Sequence, residues 1–173
     1  MSSMILNGDT SGSVTLSVPA VSGTNTATLP AATGTVMVSG NMPAFSAYMT
    51  SNQTFTANTW TKVQLNSKSG TYGFDTNSNF DATTNYRFTP TVAGYYQLNA
   101  FVNASGTVYM SFYKNGSQTM QVANSLGVPS GSILLSMNGS TDYVELYIYC
   151  ATGQTISASL NYNSMNGSMV RGA

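Results

Sequence analysis

The eight residues Tyr143-Val144-Glu145-Leu146-Tyr147-Ile148-Tyr149-Cys150 alternate without a break between two kinds of side chain. Successive side chains of a strand point to opposite faces, whereas a helix would mix both kinds around its circumference. The run therefore predicts a strand with Val144, Leu146, Ile148 and Cys150 in a core and Tyr143, Glu145, Tyr147 and Tyr149 on the other face. Tyr95 to Val102 behaves alike, with Tyr96, Leu98, Ala100 and Val102 on one side and Tyr95, Gln97, Asn99 and Phe101 on the other. Further strands are expected at 43–45, 60–63, 86–88, 108–113, 133–137, 156–162 and 169–171, and no helical period competes. Asn-Gly pairs at 115–116, 138–139 and 166–167 supply the positive φ of tight turns. Many short strands at this spacing predict an all-β sandwich.

The outward faces are unusual. Three tyrosines at alternate positions of one strand are harder to dismiss than a lone exposed aromatic. Burying each ring contributes on the order of 1.5–3 kcal/mol, so a sheet apolar on both faces is expected where a sandwich self-associates. Tyr95, Phe101, Tyr143, Tyr147 and Tyr149 are the candidate subunit contacts. Trp60, the only tryptophan, reads as a core or subunit anchor before it reads as a ligand platform.

Composition narrows the partners. Only 6% of the 173 residues are charged, five basic and five acidic, against about 25% in an ordinary domain. Without a basic run the chain has no means of neutralising several phosphates, so nucleic acid is not expected as a partner. No apolar stretch is long enough to span a bilayer, and Met1 to Asn7 lacks the basic start and apolar region of a signal peptide. These features predict a soluble, unprocessed chain without membrane insertion. The lone Cys150 has no internal disulfide partner and reads as a small core residue, which fits synthesis in a reducing cytosol.

The chain contains no histidine. That removes the usual general base, the usual partner of a Ser or Cys nucleophile, and the commonest transition-metal ligand. A carboxylate pair would have to come from Asp9, Asp75, Asp81, Asp142 and Glu145, and the last two point to opposite faces of one strand. No catalytic residue, metal site or cofactor is expected, and the chain reads as no enzyme. The loop Asp75 to Asp81 places oxygens at alternate positions as an EF-hand does, but Phe80 stands where that loop needs Gly and Tyr86 where it needs Glu. Its Asp75 and Asp81 also read as turn residues bonding their own backbone. Five Asn-x-Ser/Thr sequons among 17 asparagines follow from composition alone.

All 19 aromatic residues lie between Phe45 and Tyr162, which places a domain boundary near residue 42. Residues 1–42 cannot bury a core alone. Within them 12–18, 24–29 and 33–38 read as β runs whose simplest partners are the same segment of neighbouring copies.

Residues 43–173 resemble the jelly-roll head shared by the globular domain of complement's first component (subcomponent q) and the tumour necrosis factor superfamily. The resemblance rests on Phe88, Pro90, Gly94 and Tyr96 in Y86-R-F-T-P-T-V-A-G-Y-Y-Q-L-N-A-F-V102, then on Tyr113-Lys114-Asn115-Gly116 and Asp142-Tyr143-Val144-Glu145-Leu146, in that order. The tail Asn166 to Ala173 replaces the family's closing aromatic strand, leaving the last strand open. The resemblance implies a homotrimer about a threefold axis, with the strands at 95–102 and 143–150 in the inner sheet and Tyr147 and Tyr149 facing the axis. Residues 12–36 resemble a stretch common in bacteriophage tail fibres. Together the two imply a virion protein made in the host cytoplasm: an extended β-rich arm, 1–42, that docks to other virion proteins or trimerises, and a jelly-roll head, 43–173. Two roles follow as expectations. One is a trimeric fibre or tip that attaches to a host surface glycan or protein; the other is a capsid decoration or neck protein without a receptor. Attachment would use the loop residues Asp75, Asn77, Asn79, Asp81 and Asn115, in Asn- and Ser-rich turns whose amides and hydroxyls are suited to sugar hydroxyls around an aromatic platform.

Overall fold

The computed structural model describes residues 3–21, 23–28, 31, 33–34, 36–158 and 162–173. These form two compact units, Met1–Gly34 and Thr35–Ala173. The division falls earlier in the chain than the aromatic boundary because Met37 packs against the core of the second unit and Gly40 accepts a hydrogen bond from the Asn77 amide.

The first unit contains a hairpin of β1 (Ser3–Asn7) and β2 (Ser13–Ser17). The run read at 12–18 is thus a strand, and its partner lies within the same chain rather than in a neighbouring copy. Cross-strand pairing of Met4 with Leu16 and Leu6 with Val14 places all four on one face. The described residues of the 24–29 and 33–38 runs carry no strand.

The second unit is a sandwich of two antiparallel sheets, built from β3 (Ala44–Tyr48), β4 (Gln53–Phe55), β5 (Trp60–Lys62), β6 (Phe74–Asp75), β7 (Phe80–Asp81), β8 (Arg87–Phe88), β9 (Gly94–Val102), β10 (Thr107–Lys114), β11 (Ser117–Leu126), β12 (Ser130–Met137), β13 (Val144–Cys150), β14 (Gln154–Ile156) and β15 (Asn163–Gly172). One sheet has the order β12-β9-β15-β3-β6; the other has β11-β10-β13-β8-β7, with β5 also pairing β13. β14 and β4 form a separate pair. The alternation read in the sequence is realised: Val144, Leu146, Ile148, Cys150, Tyr96, Leu98, Ala100 and Val102 are all buried in one core. The strands at 94–102 and 144–150, however, lie in different sheets, so the shared inner sheet implied by the family resemblance does not hold.

Four rings join the sheets. Phe45 of β3 stacks on Phe88 of β8 at 4.2 Å and on Phe80 of β7 at 5.2 Å, and Phe88 meets Tyr96 of β9 edge-on at 5.5 Å. Tyr96 is fully buried, and its hydroxyl donates to the Val92 carbonyl at 2.7 Å, which ties the entry of β9 to its own first turn.

Two of the three Asn-Gly pairs make turns. Asn115 and Gly116 have φ of 52° and 78° and close the β10–β11 hairpin, and Gly139 has φ of 71°. Asn166-Gly167 instead lies inside β15, a strand that runs unbroken through the middle of its sheet. There glycine answers a close approach: an added Cβ would overlap Leu98 Cδ2 and lie 2.8 Å from the Gln97 carbonyl oxygen. This strand also settles the closing element. Of the expected 156–162 strand, Ile156 ends β14, Ser157 and Ala158 carry no strand, 159–161 fall outside the described residues, and Tyr162 is a bend. β11, by contrast, gave no sequence signal. It is an edge strand of mostly exposed polar residues.

Gly167→Ala is expected to destabilise the fold by about 1–3 kcal/mol in urea unfolding, through overpacking against Leu98; unchanged stability would mean the position behaves as a tolerant turn. Burial raises the Tyr96 phenol from 10.0 to about 12. The folded state holds that proton longer than the unfolded one, so stability is full below pH 10 and falls by on the order of 2–3 kcal/mol by pH 12. Unfolding curves across that range are expected to show a smaller alkaline loss for Tyr96→Phe.

Candidate functional site

The candidate site is the outward face of the sheet β11-β10-β13-β8-β7. Cross-strand register builds it in rows. Trp60 of β5, Tyr149 of β13, Tyr109 of β10 and Asn124 of β11 form one row; Lys62, Tyr147, Ser111 and Gln121 form the next; Arg87, Glu145, Tyr113 and Gln118 form the third. Each row is a chain of directly opposed side chains, the arrangement in which cross-strand pairs add about 0.2–1 kcal/mol apiece.

The rings hold one another. Tyr109 meets Tyr149 edge-on at 5.5 Å, Trp60 lies 5.8 Å from Tyr149 and 6.1 Å from Tyr113, and Tyr113 stacks on Tyr147 at 4.0 Å. Desolvation raises the phenols of Tyr113 and Tyr147 above their ordinary value. The Tyr149 hydroxyl donates to Asn58 Oδ1 at 2.9 Å. At one end of the face the Arg87 guanidinium lies over the Tyr143 ring at 4.2 Å, and buried Glu145 pairs with Lys62 at 2.5 Å. The Lys62 ammonium also donates to the Asn85 carbonyl. Lys62 and Glu145 therefore neutralise each other, and the Arg87 charge is covered by a ring.

At the other end the face is hollowed. Buried Ser111, the small residue between Tyr109 and Tyr113, donates to the Met120 carbonyl at 2.8 Å beside a register shift in β11 that inserts Val122. The bulge brings Gln121 over the hollow, which Trp60, Tyr109, Gln121 and Tyr149 line around about 240 Å³.

The five expected loop residues are engaged inside the fold. Asp75 accepts from the Lys68 ammonium at 2.7 Å and from the backbone N–H groups of Asn79 and Phe80. Asn77 donates to Gly40, and buried Asn79 donates to Asn77 and Thr91. Asp81 accepts from the N–H groups of Thr83, Thr84 and Asn85 and from the Thr83 hydroxyl and Asn85 amide, and the backbone bonds from Thr84 and Thr83 hold its carboxyl far below the usual range. Asn115 bridges Asp142 and the Tyr143 N–H. These side chains brace turns, in line with the turn reading of Asp75 and Asp81. Among the described residues, no three His, Cys, Asp or Glu gather as metal ligands would.

The expected subunit contacts are divided by the core. Tyr143, Tyr147 and Tyr149 lie on the aromatic face, whereas Tyr95 and Phe101 lie on the outward face of the β12-β9-β15-β3-β6 sheet. One contact face cannot contain both sets. The middle of that second face is polar, with Gln97, Asn99, Ser164, Asn166 and Ser168, and the Asn99 amide donates to Asn166 at 3.1 Å. At one end, near Phe101, Tyr48 and Tyr72 pack edge-on at 6.2 Å; at the other, Arg171 lies 6.0 Å from the Tyr95 ring. The sequence did single out Tyr147, Tyr149 and Trp60; Tyr109, in the expected strand 108–113, was not singled out, and Gln121 went unread because a bulge in an edge strand leaves no period to follow.

Replacing Asp81 by Asn is expected to cost about 1–3 kcal/mol at neutral pH through its lost charge-assisted bonds. The folded pKa lies below 3.8, so this contribution is present above that pH and shrinks as pH falls below it. Paired unfolding curves of both proteins at neutral and acid pH check it.

No known protein-family profile matches the sequence, and no curated protein does. Solved structures do match. The crystal structure of murine APRIL at pH 8.5 superposes with a TM-score of 0.55 and 10% identity, covering 75% of this chain and 99% of that one. The pH 5.0 structure of murine APRIL gives 0.55, 11% and the same coverage. A family 35 carbohydrate binding module from an environmental isolate matches at a TM-score of only 0.37 with 11% identity over 72% of this chain and 90% of that one, too loosely to carry an argument. The likeness to APRIL is one of fold: the chain carries a tumour-necrosis-factor-like jelly roll, preceded by a β-rich N-terminal segment.

Proposed function

We propose that this chain is a non-enzymatic structural protein of a bacteriophage virion, made in the host cytoplasm, whose head forms a trimeric fibre or tip that contacts the host surface. The observation that carries this reading is the N-terminal hairpin. Met4, Leu6, Val14 and Leu16 share one face and are each more than half exposed. A two-stranded hairpin is marginal alone in water, so an apolar face of this kind is suited to burial against other virion proteins or further copies.

For the head, the sheet β12-β9-β15-β3-β6 is the self-association face in this proposal. Its outward middle is broad and built from short, uncharged amides and hydroxyls, which pair with copies of themselves without desolvating a charge. Tyr95 and Phe101 lie on this face and remain proposed contacts; Tyr143, Tyr147 and Tyr149 do not. Among the described residues no helix is long and apolar enough to cross a membrane.

Native mass spectrometry of the full-length chain is expected to give a trimer. A monomer at micromolar concentration would overturn the reading. The chain has no histidine, and the displaced groups move away from neutrality, with Asp81 and Asp142 down and Tyr96, Tyr113, Tyr147 and Cys150 up. The trimer mass is therefore expected to stay constant from pH 5 to pH 8 at fixed salt.

A further inference from the structure

We infer that the hollow lined by Trp60, Tyr109, Gln121 and Tyr149 is a binding site for a neutral pyranose residue of a glycan. The inference rests on the attachment reading above and gives it a ligand class and a place, in the cleft rather than in the loops.

Three observations select the ligand. First, the lining is uncharged, since the nearby Lys62 and Glu145 neutralise each other. A phosphorylated or acidic sugar would meet no counter-charge there. Second, the rings of Trp60, Tyr109 and Tyr149 stand at angles of 52° and 82° to one another, so they form walls rather than one flat stack. Such walls suit the apolar C–H face of a pyranose, while a purely apolar ligand would leave the polar lining without partners. Third, among the described residues the Trp60 indole N–H, the Tyr109 hydroxyl and the Gln121 amide make no hydrogen bond within the protein and border the same hollow, where a ligand can pair with them. They supply three N–H donors, a carbonyl acceptor and a hydroxyl that serves as either, the set that ring hydroxyls require.

Size and position agree. The volume, about 240 Å³, lies just under the ~300 Å³ at which drug-sized pockets begin, which fits one sugar ring of a longer chain passing across the face. The aromatic face is on the far side of the core from the proposed self-association face, so a trimer would display three such clefts outward. The three rings are already fixed by their mutual contacts and by the Tyr149–Asn58 bond, so binding leaves mainly Gln121 to be ordered.

Trp60 is the sole tryptophan, which makes its emission a reporter of this site alone. The test titrates the full-length protein with the methyl glycosides of glucose, galactose, mannose and N-acetylglucosamine, and with oligosaccharides of each. At least one series is expected to shift Trp60 emission saturably, with affinity rising from monomer to oligomer. Tyr109→Ala and Gln121→Ala are each expected to weaken that binding about tenfold or more while native mass and unfolding midpoint stay near those of the parent. No shift with any sugar, or a shift that persists undiminished in both variants, overturns the inference. Trp60 emission shielded from an added quencher in the sugar-free assembly also overturns it, because the face would then be a subunit contact. Sugar binding by a protein of monomeric mass supports the cleft and overturns the fibre reading, so the two fail separately.

Discussion

The stack of Phe45, Phe80, Phe88 and Tyr96 is the interaction on which the rest of this structure depends. It takes rings from both sheets and places them within 4.2–5.5 Å of one another in the centre of the sandwich. With β3 and β9 fixed against β7 and β8, the period-two alternation of every longer strand leaves one possible outcome for its side chains. Even-numbered residues of β9 and β13 go inward, and odd-numbered ones go out, on opposite sides of the molecule. The two outer faces are thereby determined together, one polar and small in its middle, the other aromatic.

Scarcity of charge sharpens this division. With ten charged side chains in all, the protein wets its surface with hydroxyls and amides, and much of its ionic chemistry is local bracing. Lys68 with Asp75, Lys114 with Asp142 and Lys62 with Glu145 each tie a loop or strand end to its neighbour. Each carboxylate is largely buried, so its desolvation offsets much of the attraction, and the fold rests on its apolar layer and backbone ladders. A surface poor in charge also gives little long-range steering, and recognition on it has to come from shape, stacking and short hydrogen bonds.

Much of this was legible in the sequence wherever a strand had one buried face. The alternation from Tyr143 to Cys150 and from Tyr95 to Val102 gave the core residues correctly, and Phe88, Pro90, Gly94 and Tyr96 led to the jelly roll. Legibility failed where local pattern and tertiary role part company. Asn166-Gly167 has the composition of a turn, yet Gly167 is there because Leu98 and Gln97 leave no room for a side chain. β11 is an edge strand with a bulge, and its polar sequence satisfies no alternation. The alternation also says that Tyr95 and Tyr147 leave the core, but not that they leave it in opposite directions, since sheet membership is a long-range property. The loop aspartates are a related case. Asx side chains that brace a turn and those that present oxygens to a ligand look the same until their hydrogen bonds are known.

The central claim is that one outer face joins copies of the chain and the other stays open. Site-directed cross-linking tests it most directly, because Ser168 and Gln121 are exposed on opposite faces and the native Cys150 is fully buried. With a short thiol-reactive cross-linker, Ser168→Cys is predicted to yield covalently joined chains and Gln121→Cys to remain as single chains on a denaturing gel. Joined chains from Gln121→Cys and none from Ser168→Cys would contradict the account.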